Sequence, residues 1–126
     1  MLNYREFDAG PDPFGRKFHV LFKWSQNGIS IRHADTVDNK FLLQEERGEM
    51  SEKTIALNHP DLVRLAQETG RPLDDPWCAR LATMHLIHLI ETGEDIEKSL
   101  VTVPYADLQR YAAQLATADK AEVHAR

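Results

Sequence analysis

Three features of the sequence predict an α+β domain, an antiparallel sheet in the N-terminal half packed on one face by helices from the C-terminal half. Up to Leu57 the apolar residues fall in short strand-like runs, with a period of two in residues 17–24. From Pro60 onward they recur at every third or fourth. The links between the early runs are short, as an antiparallel meander of about four strands requires. Residues 1–118 are expected to form one domain and 119–126, "ADKAEVHAR" without its first residue, an unordered tail.

Along the chain, Leu2 to Phe7 carries no decisive period. Residues 8–16, "DAGPDPFGR", hold two prolines and two glycines and read as a loop. Residues 17–24, "KFHVLFKW", put Phe18, Val20, Phe22 and Trp24 on one face of a strand. Asn27-Gly28 follows, a dipeptide suited to the positive φ of a tight hairpin turn, with Ile29 to His33 returning antiparallel. Phe41-Leu42-Leu43 and Lys53 to Leu57 complete the set across the polar loop "RGEMSE".

The helices announce themselves by their ends. Asn58 or His59 caps the first, with Pro60 in its first turn, where the missing N–H is no loss. Leu62, Leu65, Ala66 and Thr69 share its inner side, and Gly70 stops it. Asp75-Pro76 opens the second helix and Gly93 closes it. The third starts near Pro104 and carries a stripe of Tyr105, Leu108, Tyr111, Ala112 and Leu115. Between them, Glu94 to Leu100 is expected to form a helical turn and "VTV" a brief extended segment.

Composition bounds the function. The 126 residues carry 20 acidic and 15 basic side chains, a formal charge of −5, with no Lys/Arg run. Nucleic-acid binding needs a basic face, so it is not expected. The single Cys78 excludes an internal disulfide framework and a cysteine-rich zinc site. The start, "MLNYREFDAGPDPFG", lacks a basic-then-apolar leader pattern, and no apolar run approaches membrane-spanning length, so a cytoplasmic location and no membrane partner are expected.

Two stretches hold candidate chemistry. "ISIRHADT", residues 29–36, resembles the opening signature of the histidine phosphatases, and "TIALNHPDLVRLA", residues 54–66, resembles that family's later segment. The resemblance implies His33 as phosphoryl-accepting nucleophile, with Arg32 and His59 holding the phosphate. Arg64 and Glu45 are the nominal counterparts of the second arginine and the general acid. The family's mostly parallel sheet needs crossovers of a dozen or more residues. Here 25 residues separate His33 from His59 and include a strand-like run, so a phosphate-binding or phosphoester-hydrolysing protein is the alternative reading. In the central helix, His85 and His88 sit about 60° apart around the axis and could share a metal ion. Cys78 lies two turns away, about 11 Å, too far to join them.

That helix is apolar on most sides: Trp77, His88, Leu81, His85, Cys78 and Leu89 form one arc, and Leu86 and Ile90 extend it. Such a helix belongs in a core, so both histidines are expected to be partly buried, each with a hydrogen-bond partner, rather than metal-bound. No cofactor is expected. The leading functional expectation is a non-enzymatic binding or protein-interaction module, its partner a protein or a small anionic ligand. A two-fold seam through Arg80, Met84, Ile87 and Glu91 is expected to pair two copies as a homodimer.

Overall fold

The computed structural model describes residues 4–28, 35–95 and 97–124. In chain order the elements are β1 (Glu6–Ala9), β2 (Phe18–Gly28), β3 (Thr36–Glu45), β4 (Met50–Asn58), α1 (His59–Thr69), α2 (Asp75–Thr92), β5 (Leu100–Thr102) and α3 (Tyr105–His124). The strands form one sheet in the order β1-β2-β3-β4-β5, antiparallel except for the parallel pair β4–β5. The expected α+β class is observed, with the sheet in the N-terminal half and three helices after it.

Alternation sets which face is buried. Val37, Asn39, Phe41 and Leu43 of β3 are buried, while the residues between them are half-buried. Val20, Ile55 and Leu57 join them beneath the helices. α1 and α2 pack on this side of the sheet, and α3 packs on α1 and α2. Leu62 and Leu65 of α1, Leu81, Leu86 and Leu89 of α2, and Leu108 of α3 close a single core. Asn39 is its polar exception, with Nδ2 donating to Val37 O at 3.2 Å and Ile55 O at 3.4 Å.

Helix ends follow the sequence signals. Asn58 precedes α1 in an extended conformation without a side-chain cap bond, and Pro60 occupies the first turn. Asp74, one residue before the expected Asp75, caps α2 by accepting from Trp77 N at 2.9 Å. Gly70 and Gly93 both end their helices with left-handed φ, 69° and 75°. No basic residue lies in the last turn of α2, but Lys53 reaches the same region from β4. Its Nζ donates to Asp95 O at 2.9 Å, and burial pushes its pKa down.

Four local expectations need correction. Asn27-Gly28 does not turn; β2 runs through it and Gly28 pairs with Thr36, so the return strand is β3. Residues 29–33, expected as that strand, lie outside the described residues. The ladder between β2 and β3 has ten residue pairs, twice what a five-residue return strand could supply. Secondly, the register slips between Phe22 and Trp24, and Trp24 leaves the face of Phe18, Val20 and Phe22. Thirdly, Glu94 and Asp95 form a turn rather than a helical segment, and the extended "VTV" is realised as β5, one residue earlier. Finally, α3 continues to His124, into the segment expected to be an unordered tail. Asp119 holds it there, accepting from Arg71 and from Arg80, both at 3.0 Å.

Candidate functional site

The residues singled out by the sequence are placed as follows. Arg32 and His33 lie outside the described residues. His59 opens α1, half-buried, and its backbone N–H donates to Asp35 O at 2.8 Å. Arg64 lies exposed on α1, paired with Glu68 at 3.0 Å and stacked 4.4 Å over the Tyr105 ring. Glu45 ends β3 at its far end from Thr36, the partner of Asn58. Nine residues of strand put it about 30 Å from His59, too far to act as general acid beside it.

His85 and His88 turn to different partners. His85 is buried, 3% exposed, and its Nδ1 lies 2.8 Å from the Tyr111 hydroxyl. That hydroxyl accepts from Arg110 at 3.4 Å, so its proton is directed at a neutral His85 nitrogen. Burial lowers the pKa of His85, which agrees with this tautomer. His88 Nε2 meets Glu94 at 2.9 Å, and the two imidazoles stack with centroids 6.1 Å apart. Among the described residues no three His, Cys, Asp or Glu side chains converge on a metal position. Cys78 is buried, and desolvation first, then Asp75 and Asp74, push its pKa up to about 12, so it stays a thiol.

On the α2 strip, Arg80 donates to Asp119, Met84 and Ile87 pack half-buried against the core, and Glu91 is exposed. An arginine already engaged within its own chain has less to offer a second one.

The open face of the sheet forms a different kind of surface. Pairs directly opposite in an antiparallel ladder share a face. Phe22 pairs with buried Phe41, and Trp24 pairs with Lys40, so Lys23 is the extra residue of a β-bulge. The bulge carries Trp24 from the core face to the open face, where it is 38% exposed. Lys40 Nζ sits 5.4 Å from its ring centroid. Next to this pair, Leu21 and Leu42 face each other across β2 and β3, and Leu21 is 36% exposed.

Charged side chains on the same face are joined in its plane. Lys40 pairs with Glu52 at 2.8 Å. The His19 ring lies between Asp8 at 2.7 Å and Glu6 at 2.8 Å, one carboxylate at each nitrogen. Both carboxylates favour the imidazolium and raise the pKa of His19. Each carboxylate takes a different ring nitrogen, so the array is an ion-pair clasp between β1 and β2. A shallow cavity of about 540 Å³ opens beside it, lined by Asp8, His19, Lys17 and Glu46. A smaller one of about 250 Å³ lies where Phe18 and Leu43 meet Leu89 at the end of α2.

Sequence reasoning did not single out this surface. The period of two in residues 17–24 could have turned Leu21 outward, but the unbroken run Phe41-Leu42-Leu43 gives no face to Leu42. Trp24 was not legible either, since nothing in "FKWS" signals a bulge.

The chain matches no family model, no curated protein and no solved structure. Among the described residues no helix is long and apolar enough to cross a membrane.

Proposed function

We propose that this chain is a protein-interaction module, working in the cytoplasm, that binds through the open face of its sheet around Leu21, Trp24 and Leu42. The observation that carries this reading is the bulge at Lys23. It takes a large aromatic side chain out of a core-facing register and sets it on the face of the sheet that, among the described residues, carries no packed helix. Bulges re-aim side chains in this way, and tryptophan is enriched at binding hot spots. A buried free thiol suits a reducing compartment. The test is a photo-crosslinking amino acid at position 21, with an exposed position on α3, Gln109, as control. In cells, the probe at 21 is expected to trap a discrete protein and the probe at 109 none. Equal trapping from both, or none from 21, overturns the reading.

A second reading, binding or hydrolysis of a phosphoester through Arg32, His33 and His59, draws support from one contact. Asp35, two residues after His33, accepts the His59 backbone hydrogen bond. Turnover of an aryl phosphate that is lost in His59→Ala and in His33→Ala would establish it. No turnover across several phosphoesters removes its enzymatic form, and no binding of inorganic phosphate removes the rest.

A further inference from the structure

The occupant that the sheet face fits is a second copy of this chain, and we infer that two copies pair face to face across it. This rests on reading the sheet face as the binding surface. Each chain carries a formal charge of −5, so two copies repel on average and meet most readily where carboxylates are already engaged within the chain. On the sheet face three of the carboxylates are already engaged within the chain, Glu52 by Lys40, and Asp8 and Glu6 by the one imidazole of His19. Asp38, also on this face, accepts from Thr36 Oγ1 at 2.8 Å. What projects between these pairs is Leu21, Leu42 and Trp24.

The layout is also self-complementary. The Leu21–Leu42 pair has Trp24–Lys40 on one side along the strands and His19–Gln44 on the other. A two-fold axis running across the strands at the leucine pair sets leucines on leucines. It also lays the His19 imidazolium of each copy on the Trp24 ring of the other, a cation–π contact. Glu6 and Glu52 meet their own counterparts at the two margins, Glu52 paired with Lys40 and Glu6 sharing His19 with Asp8. Three long and two short strands present a face of about 600 Å² per copy, about 1,200 Å² in total, which reaches the range of specific interfaces. Sheets packed in this way stack about 10 Å apart.

The experiment uses the purified full chain. Sedimentation equilibrium should show a dimer at about 100 μM, and Leu21→Glu should weaken association more than about tenfold while leaving the far-UV spectrum and Tm in place. Trp24→Ala should weaken it similarly, which guards against a folding defect in either variant alone. The crosslinker at position 21 should join two chains, with the adduct mapping to the sheet face. A monomeric wild type at that concentration overturns the inference. So does a dimer that resists both substitutions but is split by Ile87→Glu, which would assign the contact to α2. Should the probe at 21 trap a different protein in cells but no second copy in the purified sample, self-pairing fails and the interaction-module reading stands. Trapping of neither ends both.

Discussion

The two faces of the sheet are built from the same strands but obey different rules. On the helix side, Val20, Phe41, Ile55 and Leu57 are fully buried. Their neighbours in sequence, Leu21, Lys40, Leu42 and Thr54, lie on the open side, half-buried or exposed. One side uses apolar volume to hold the fold, and the other combines apolar side chains with charges joined in pairs. The histidines repeat the contrast. Burial under α3 favours the neutral form of His85 and lowers its pKa, whereas two carboxylates on the open side favour the charged form of His19 and raise its pKa. A leucine or a histidine therefore has no fixed meaning in this chain, and the face it occupies decides what it does.

The largest test of this contrast compares two aromatic residues. Phe41→Ala should cost about 3–5 kcal/mol in urea unfolding, because a large cavity opens in the core. Trp24→Ala should cost about 1 kcal/mol or less, mainly the lost contact with Lys40. Equal losses would place Trp24 in the core and abolish the distinction between the faces.

His85→Ala comes next, at about 2–3 kcal/mol, because it leaves the Tyr111 hydroxyl without its buried partner. The loss should be the same with and without a chelator, and so should the smaller one from His88→Ala. A stoichiometric metal in untagged protein, absent from either variant, would reassign the pair.

Deleting Lys23 sharpens the register. With a bulge, the shortened strand runs on as a regular ladder, Trp24 stays opposite Lys40, and stability changes by about 1 kcal/mol or less. Acrylamide should still quench one tryptophan readily, since Trp77 is buried. In an unbulged strand the same deletion would turn every later residue to the other face, with a large loss of stability.

The pH dependence is the smallest effect and has opposite signs on the two faces. His19 has a folded pKa raised above 6.5, so its contribution is complete below 6.5 and is lost as pH rises through the folded value. His85 has a folded pKa lowered below 6.5, so its contribution is complete above 6.5 and is lost as pH falls through the folded value. Melting temperatures of His19→Gln should lose the decline on the alkaline side of 6.5. Those of His85→Phe should lose the decline on the acid side. Parallel pH profiles for the two variants would show that the two environments do not differ.

What this sequence determined by itself is what near neighbours along the chain control. Pro60, Gly70 and Gly93 mark helix ends because φ and a missing N–H are properties of single residues. The inner face of β2 through Phe18, Val20 and Phe22 follows from the period of two in residues 17–24, and Leu21 is turned outward by the same geometry. The burial of Trp77, Leu81 and Leu89 follows from the apolar arc of α2. Contacts between distant residues decided the rest. Asn27-Gly28 permits a turn, but the longer ladder with β3 draws it into a strand. The bulge exists because Phe22 meets Phe41 while Trp24 meets Lys40, a condition set by a partner more than fifteen residues away. β5 is three residues long and becomes a strand by pairing with β4. α3 passes Leu115 and continues because Arg71 and Arg80, from outside it, hold Asp119. The surface proposed for binding came into being by this second route, since a bulge is a mismatch between two strands and neither strand carries it alone.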